Sequence, residues 1–122
     1  MPPDARKYLW DALTAAGLLS DFSAGKSFDD YQDDAMLRSA VERQFEIVGE
    51  ALSQLSKVAP KLAAQIPDRR RIVAFRNVLI HGYAIVDDAL VWQVLIEKLP
   101  GLTKTVQDLL DADRASGATP AD

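Results

Sequence analysis

The sequence predicts an all-α protein: an up-and-down bundle of about five helices, in one domain over residues 1–114 with a disordered tail over 115–122. Three observations predict it. Apolar residues recur at steps of three and four through most of the chain. Sustained alternation and β-branched runs, the marks of strands, are nearly missing. Prolines and cap residues punctuate the periodic segments at helix-length intervals.

The first helix is expected from about Pro3 to Leu19, with proline tolerated in a first turn, and Ser20–Lys26 as a loop. SFDD then offers a capping box, Ser27 with Asp30 three residues on, to open the second helix. That helix carries Met36, Leu37, Ala40, Val41, Phe45, Val48, Leu52 and Leu55 on one face and Arg38, Glu42, Arg43, Glu46 and Glu50 on the other, and Pro60 closes it. A short piece follows, Lys61 to Gln65. Asp68 can cap the next helix, striped by Ile72, Val73, Phe75 and Leu79, and Gly82 can end it. Asp87 is the expected N-cap of the last helix. Pro100 falls inside its stripe (Leu90, Val91, Val94, Leu95, Leu99, Leu102, Val106, Leu109, Leu110), and the period resumes beyond it, so it should kink that helix and not end it.

Composition bounds the chemistry. With 122 residues the chain can bury a core without staples. It has no cysteine, which removes disulfides and thiolate metal sites and fits a reducing, cytoplasmic location. Neither a secretory leader nor a ~20-residue apolar span is present, so no membrane association is expected. The net charge of −4 weighs mildly against a nucleic-acid binder. Its distribution is uneven, however: six basic residues and one acid lie between Lys57 and Arg76, and five aspartates and one lysine between Asp21 and Asp34. Such polarity can mark a phosphate-facing side, or simply two solvated helix faces.

The segment RNVLIHGY, Arg76–Tyr83, concentrates the reactive side chains, including the only histidine. On a helix, Arg76 and His81 sit about 140° apart, and Tyr83 would return near the azimuth of Arg76. One helix does not aim Arg76 and His81 at a single point, but two copies across a two-fold axis could. His81 suits a general acid or base near neutral pH. Arg76 offers a planar fork that matches phosphate, and Asn77 can orient the histidine or the phosphate. A proton shuttle beside a phosphate clamp fits RNA cleavage by its own 2′-hydroxyl. The residues alone leave a plainer reading open: His81 as a helix-end packing residue, Arg76 paired with Glu46 or Glu50, and Tyr83 at the edge of the core.

The pattern Arg-x4-His-x-Tyr, filled by Arg76, Asn77, His81 and Tyr83, resembles the signature of HEPN-domain ribonucleases, and most closely that of HepT-type toxins. RSAVERQFEIVGEAL before it and VDDALVW after it are similar to that family too, so that the resemblance covers roughly residues 4–112. It implies a HEPN helical fold, dimerising through the motif helix, with a composite site at the two-fold interface. It implies a toxin acting as a metal-independent endoribonuclease, with Arg76 and His81 catalytic, Asn77 supporting, no cofactor and no metal. The implied substrate is tRNA or mRNA, and the implied partner an MntA-like nucleotidyltransferase antitoxin, in a homodimer or a larger toxin–antitoxin assembly. Tyr83 would be the acceptor of AMP from that antitoxin. Val78, Leu79 and Ile80 are expected to pack the helix into the bundle and the dimer. Arg69, Arg70 and Arg71 are expected either to extend the phosphate track or to meet an acidic partner. The alternatives are a non-catalytic HEPN module that binds nucleotide or recruits a nucleotidyltransferase, and a plain helical interaction domain.

Overall fold

A computed structural model of the chain describes residues 1–81 and 86–117. The regular structure among these residues is all helical: α1 (Pro3–Ser23), α2 (Phe28–Asp33), α3 (Ala35–Val58), α4 (Pro60–Ala63), α5 (Arg69–His81), α6 (Asp88–Gln93) and α7 (Leu99–Gly117). A π-helical turn over Val94–Lys98 joins α6 to α7 without a break. The five expected helical segments are all present; one is split at Asp34 and one passes through a π turn. Residues 115–117 of the expected tail continue α7, and residues 118–122 lie outside the described residues.

The interruptions have local causes. Asp34 splits the expected second helix in two: its backbone is extended (φ −116°, ψ 99°) and its carboxylate accepts the Leu37 N–H at 3.1 Å, so one residue ends α2 and caps α3. The restart leaves Met36 in an uncovered first turn, 80% exposed, where the periodicity had counted it as core. The expected capping box forms at the head of α2, with Ser27 and Asp30 exchanging hydrogen bonds of 2.9 and 3.1 Å. α1 runs four residues beyond the expected Leu19, because Phe22 continues its apolar stripe against the core. The chain then turns at Gly25, which has φ 72°.

Asp68 does not adopt the extended geometry of a side-chain cap; its φ is 59°. It begins α5 through its backbone carbonyl, which accepts the Ile72 N–H at 3.0 Å. Asp87 does cap α6 with its carboxylate, accepting from Ala89 and Leu90. The last helix passes through Pro100 as expected. Proline has no N–H for the carbonyl four residues back, and its ring crowds that carbonyl. The π turn just before it widens the helix, with the Leu99 N–H reaching the Val94 carbonyl.

The core lies where α1 packs on α3 and α7 and where α3 packs on α5. Leu9, Ala12, Ala16 and Leu19 of α1 meet Val41, Phe45, Val48, Leu52 and Leu55 of α3, and Leu99, Leu102 and Val106 close the far side. Ile72 and Phe75 fasten α5 to this core, and Phe75 meets Phe45 edge-on at 5.2 Å. Among the described residues no helix is long and apolar enough to cross a membrane.

Candidate active site

The position of Arg76 is decided by a glycine on the facing helix. A Cβ placed on Gly49 of α3 would lie 2.3 Å from Cβ and 2.8 Å from Cγ of Arg76, and 3.3 Å from the Ile72 carbonyl oxygen. Only a residue without a side chain lets α5 approach α3 so closely. The approach seats the stem of Arg76 against the α3 backbone, leaving its side chain about 25% exposed.

The guanidinium is then shared among neighbours. Nη2 meets Glu50 Oε2 at 2.6 Å, and Nη1 donates to Asn77 Oδ1 at 2.8 Å. The second oxygen of Glu50 accepts from Gln54 Nε2 at 3.0 Å. Arg76 Nε is buried and has no hydrogen-bond partner among the described residues. Of the two glutamates the sequence offered, the structure selects Glu50; Glu46 pairs instead with Arg43, one turn earlier, at 3.2 Å.

Arg76 and Glu50 stand in a groove bounded by α1, α3 and α5, whose apolar walls include Trp10, Leu18, Ile47 and Ile80. Trp10 is 58% exposed and Ile80 44%. His81 is exposed at the end of α5, and no hydrogen bond joins it to Arg76. Asn77 holds one arm of the Arg76 guanidinium, where the sequence has it orienting the histidine or the phosphate. Tyr83 and Gly82 lie outside the described residues.

The remaining sequence candidates divide. Of the three aliphatics of the motif only Leu79 packs against the core, while Val78, like Ile80, is largely exposed; the register set by Ile72 and Phe75 turns both outward. Arg69 is half-buried, and Arg70 and Arg71 are exposed. Arg71 lines a different hollow, with Phe75, Val78 and Leu90, on another face of α5 from Arg76. Arg71 therefore faces away from the groove that holds Arg76. Two participants went unnoticed in the sequence. Gly49 carried the only signal available, a glycine in the middle of a long helix where it costs about 1 kcal/mol relative to alanine. Gln54, an ordinary surface polar residue by pattern, gave none.

Comparison with known proteins gives the chain a family. The family model described as "Ribonuclease HepT-like" matches residues 12–109. "Putative RNase TTE0752" of Caldanaerobacter subterraneus subsp. tengcongensis is 31% identical over 109 residues, covering 89% of this chain and 96% of the relative. "Probable ribonuclease HepT" of Thermococcus cleftensis is 33% identical over 97 residues, 80% of this chain and 87% of the relative. No solved structure gives a significant match.

Proposed function

The chain belongs to the HepT-like ribonuclease family, and from that premise we propose that it is a toxin that cleaves RNA at a composite site formed by two copies, with Arg76 and His81 as the catalytic pair. The observation that carries this reading is the state of Arg76. It is drawn to the floor of an open groove and only partly satisfied by Glu50 and Asn77, on the same helix as an exposed histidine. An arginine serving structure alone would be expected to have its buried donors met.

Pairing through α5 would bring two such helices together. The exposed aliphatics Val78 and Ile80 lie between Asn77 and His81 and would be covered by that contact. Two arginines and two histidines would then share one cleft. One His81 takes the proton from the 2′-hydroxyl as its oxygen attacks the adjacent phosphorus. The P–O5′ bond breaks, and the other His81 protonates the departing 5′ oxygen, leaving a 2′,3′-cyclic phosphate and a 5′-hydroxyl. Arg76 exchanges the Glu50 carboxylate for the phosphoryl oxygens and stabilises their added charge in the transition state. No step in this scheme requires a metal.

The toxin would be silenced by a nucleotidyltransferase antitoxin. In that reaction the Tyr83 hydroxyl attacks the α-phosphorus of ATP and pyrophosphate leaves. The added AMP places bulk and negative charge in the motif and repels RNA. A non-catalytic module that binds nucleotide or the transferase is the second reading; the partial pairing of Arg76 with Glu50 is compatible with it.

The deciding experiment expresses the chain alone, with His81→Ala as control, and assays the purified protein on total RNA in EDTA. Growth arrest and cleavage by the wild type only, with 2′,3′-cyclic phosphate ends, are expected. A harmless chain that cuts no RNA, with or without metal, would overturn the reading in favour of the binding module. Co-expression with the transferase should add about 329 Da on Tyr83, read by intact mass.

A further inference from the structure

We propose that Trp10, with Arg6, Lys7 and Arg114, forms a second subsite that stacks a base and holds phosphates of a single-stranded stretch of the RNA beside the cleavage site. The inference rests on the ribonuclease reading, but it stands on a separate part of the molecule.

The subsite is a hollow of about 750 Å³ between the start of α1 and the end of α7, within the range of small-ligand pockets. Arg6, Lys7, Trp10, Asp113 and Arg114 are on its walls. Trp10 and Lys7 also line the groove that holds Arg76, so the two hollows adjoin at the indole. A strand leaving Arg76 would meet the indole face and then the cations.

The chemistry of the wall favours a polyanion with exposed π-faces. Three cations stand against one carboxylate, in a chain whose overall charge is −4. That carboxylate, Asp113, is already engaged by Arg6 at 2.7 Å, and the guanidinium beside it holds it below the usual carboxylate range. Lys7 meets Asp11 at 2.9 Å on the surface. An exposed pair such as Lys7–Asp11 exchanges partners at little cost. Arg114 has no carboxylate within ion-pair distance among the described residues. A tryptophan 58% exposed among cations matches the stacking platform and electrostatic groove by which proteins hold single strands without reading their sequence. The same exposed indole could instead cover a second copy of the chain, and the test separates the two.

Trp10 and Trp92 are the only tryptophans, so Trp92→Phe leaves Trp10 as the sole reporter. The probe is a fluorescein-labelled oligouridylate, added to chains that carry His81→Ala so that it is not cut, and followed by anisotropy and by tryptophan emission. Binding should quench Trp10. Trp10→Ala should weaken binding by at least about fivefold, and Trp10→Tyr should restore most of it. Arg114→Glu should lower the slope of log K against log salt by about 0.7. An oligouridylate that binds without quenching Trp10, or does not bind at all, overturns the subsite. So does a Trp10→Ala chain that binds RNA normally but changes its oligomeric state in light scattering, which would make Trp10 a subunit contact. If the chain cuts no RNA yet quenching persists, the ribonuclease reading fails and the subsite survives. If the Trp10→Ala chain cuts long RNA as well as the wild type, the subsite fails alone.

Discussion

Gly49 on α3 and Arg76 on α5 touch so closely that a single added methyl would sit 2.3 Å from the arginine Cβ. The absence of a side chain at one position thus decides where the charge of another is held.

Gly49→Ala should therefore be destabilising, although alanine is the better helix former. The clash is with a Cβ and a neighbouring carbonyl, neither of which can rotate away, and overpacking of this kind costs about 1–3 kcal/mol, against a helical gain of about 1 kcal/mol. Thermal or urea unfolding would report it. A variant as stable as the wild type would mean that α5 shifts freely, and that Arg76 is not positioned by this contact.

Arg76→Ala and His81→Ala should each lower RNA cleavage by about 100-fold or more. Their stability costs should differ. His81 is exposed, so its loss should change stability by less than about 0.5 kcal/mol. Arg76→Ala strips a half-buried stem from the α3 contact and leaves Glu50 unpaired, and should cost about 1 kcal/mol. Paired melting curves and single-turnover cleavage assays test both statements. A His81→Ala chain that unfolds would support the structural reading of the histidine.

Tyr31 is fully buried and its hydroxyl has no hydrogen-bond partner among the described residues. Burial pushes its phenol up, with Glu42 and Asp88 adding to the effect. Tyr31→Phe keeps the packing against Trp92, whose ring lies 5.4 Å away, and removes an unmet polar group. Stability should stay level or rise by about 1 kcal/mol. A clear loss in a denaturation series would point to a partner for the hydroxyl.

Burial holds the Glu42 carboxyl above its ordinary value of 4.5, and the charges of Asp88 and Glu46 reinforce this while Arg38 opposes it. The folded chain then keeps that proton more tightly than the unfolded one, so ionisation costs stability. The cost is absent below the ordinary carboxylate range, grows as pH rises through it, and is complete above the raised value. Glu42→Gln should be more stable than the wild type at neutral pH, and the gain should vanish near pH 4. An equal gain at both pH values would sink the assignment of cause.

The sequence by itself determined what depends on neighbours along the chain. Helical periodicity settled the all-α class and the stripe of Val41, Phe45, Val48, Leu52 and Leu55. Local hydrogen-bonding chemistry settled the caps at Ser27 and Asp87 and placed Arg76 and His81 on one helix. The resumption of the stripe beyond Pro100 correctly implied passage through it. Tertiary structure decided what depends on contact between helices distant in sequence. Whether Glu46 or Glu50 meets Arg76 turns on the rotation of α3 against α5, which no local period encodes. Two glutamates one turn apart look alike until Gly49 fixes the height at which the helices touch. The same rotation turned Val78 and Ile80 outward and separated Arg71 from the groove. The break at Asp34 lay between these limits: an aspartate can continue a helix or cap one, and here it caps α3 between the buried Tyr31 and Val41.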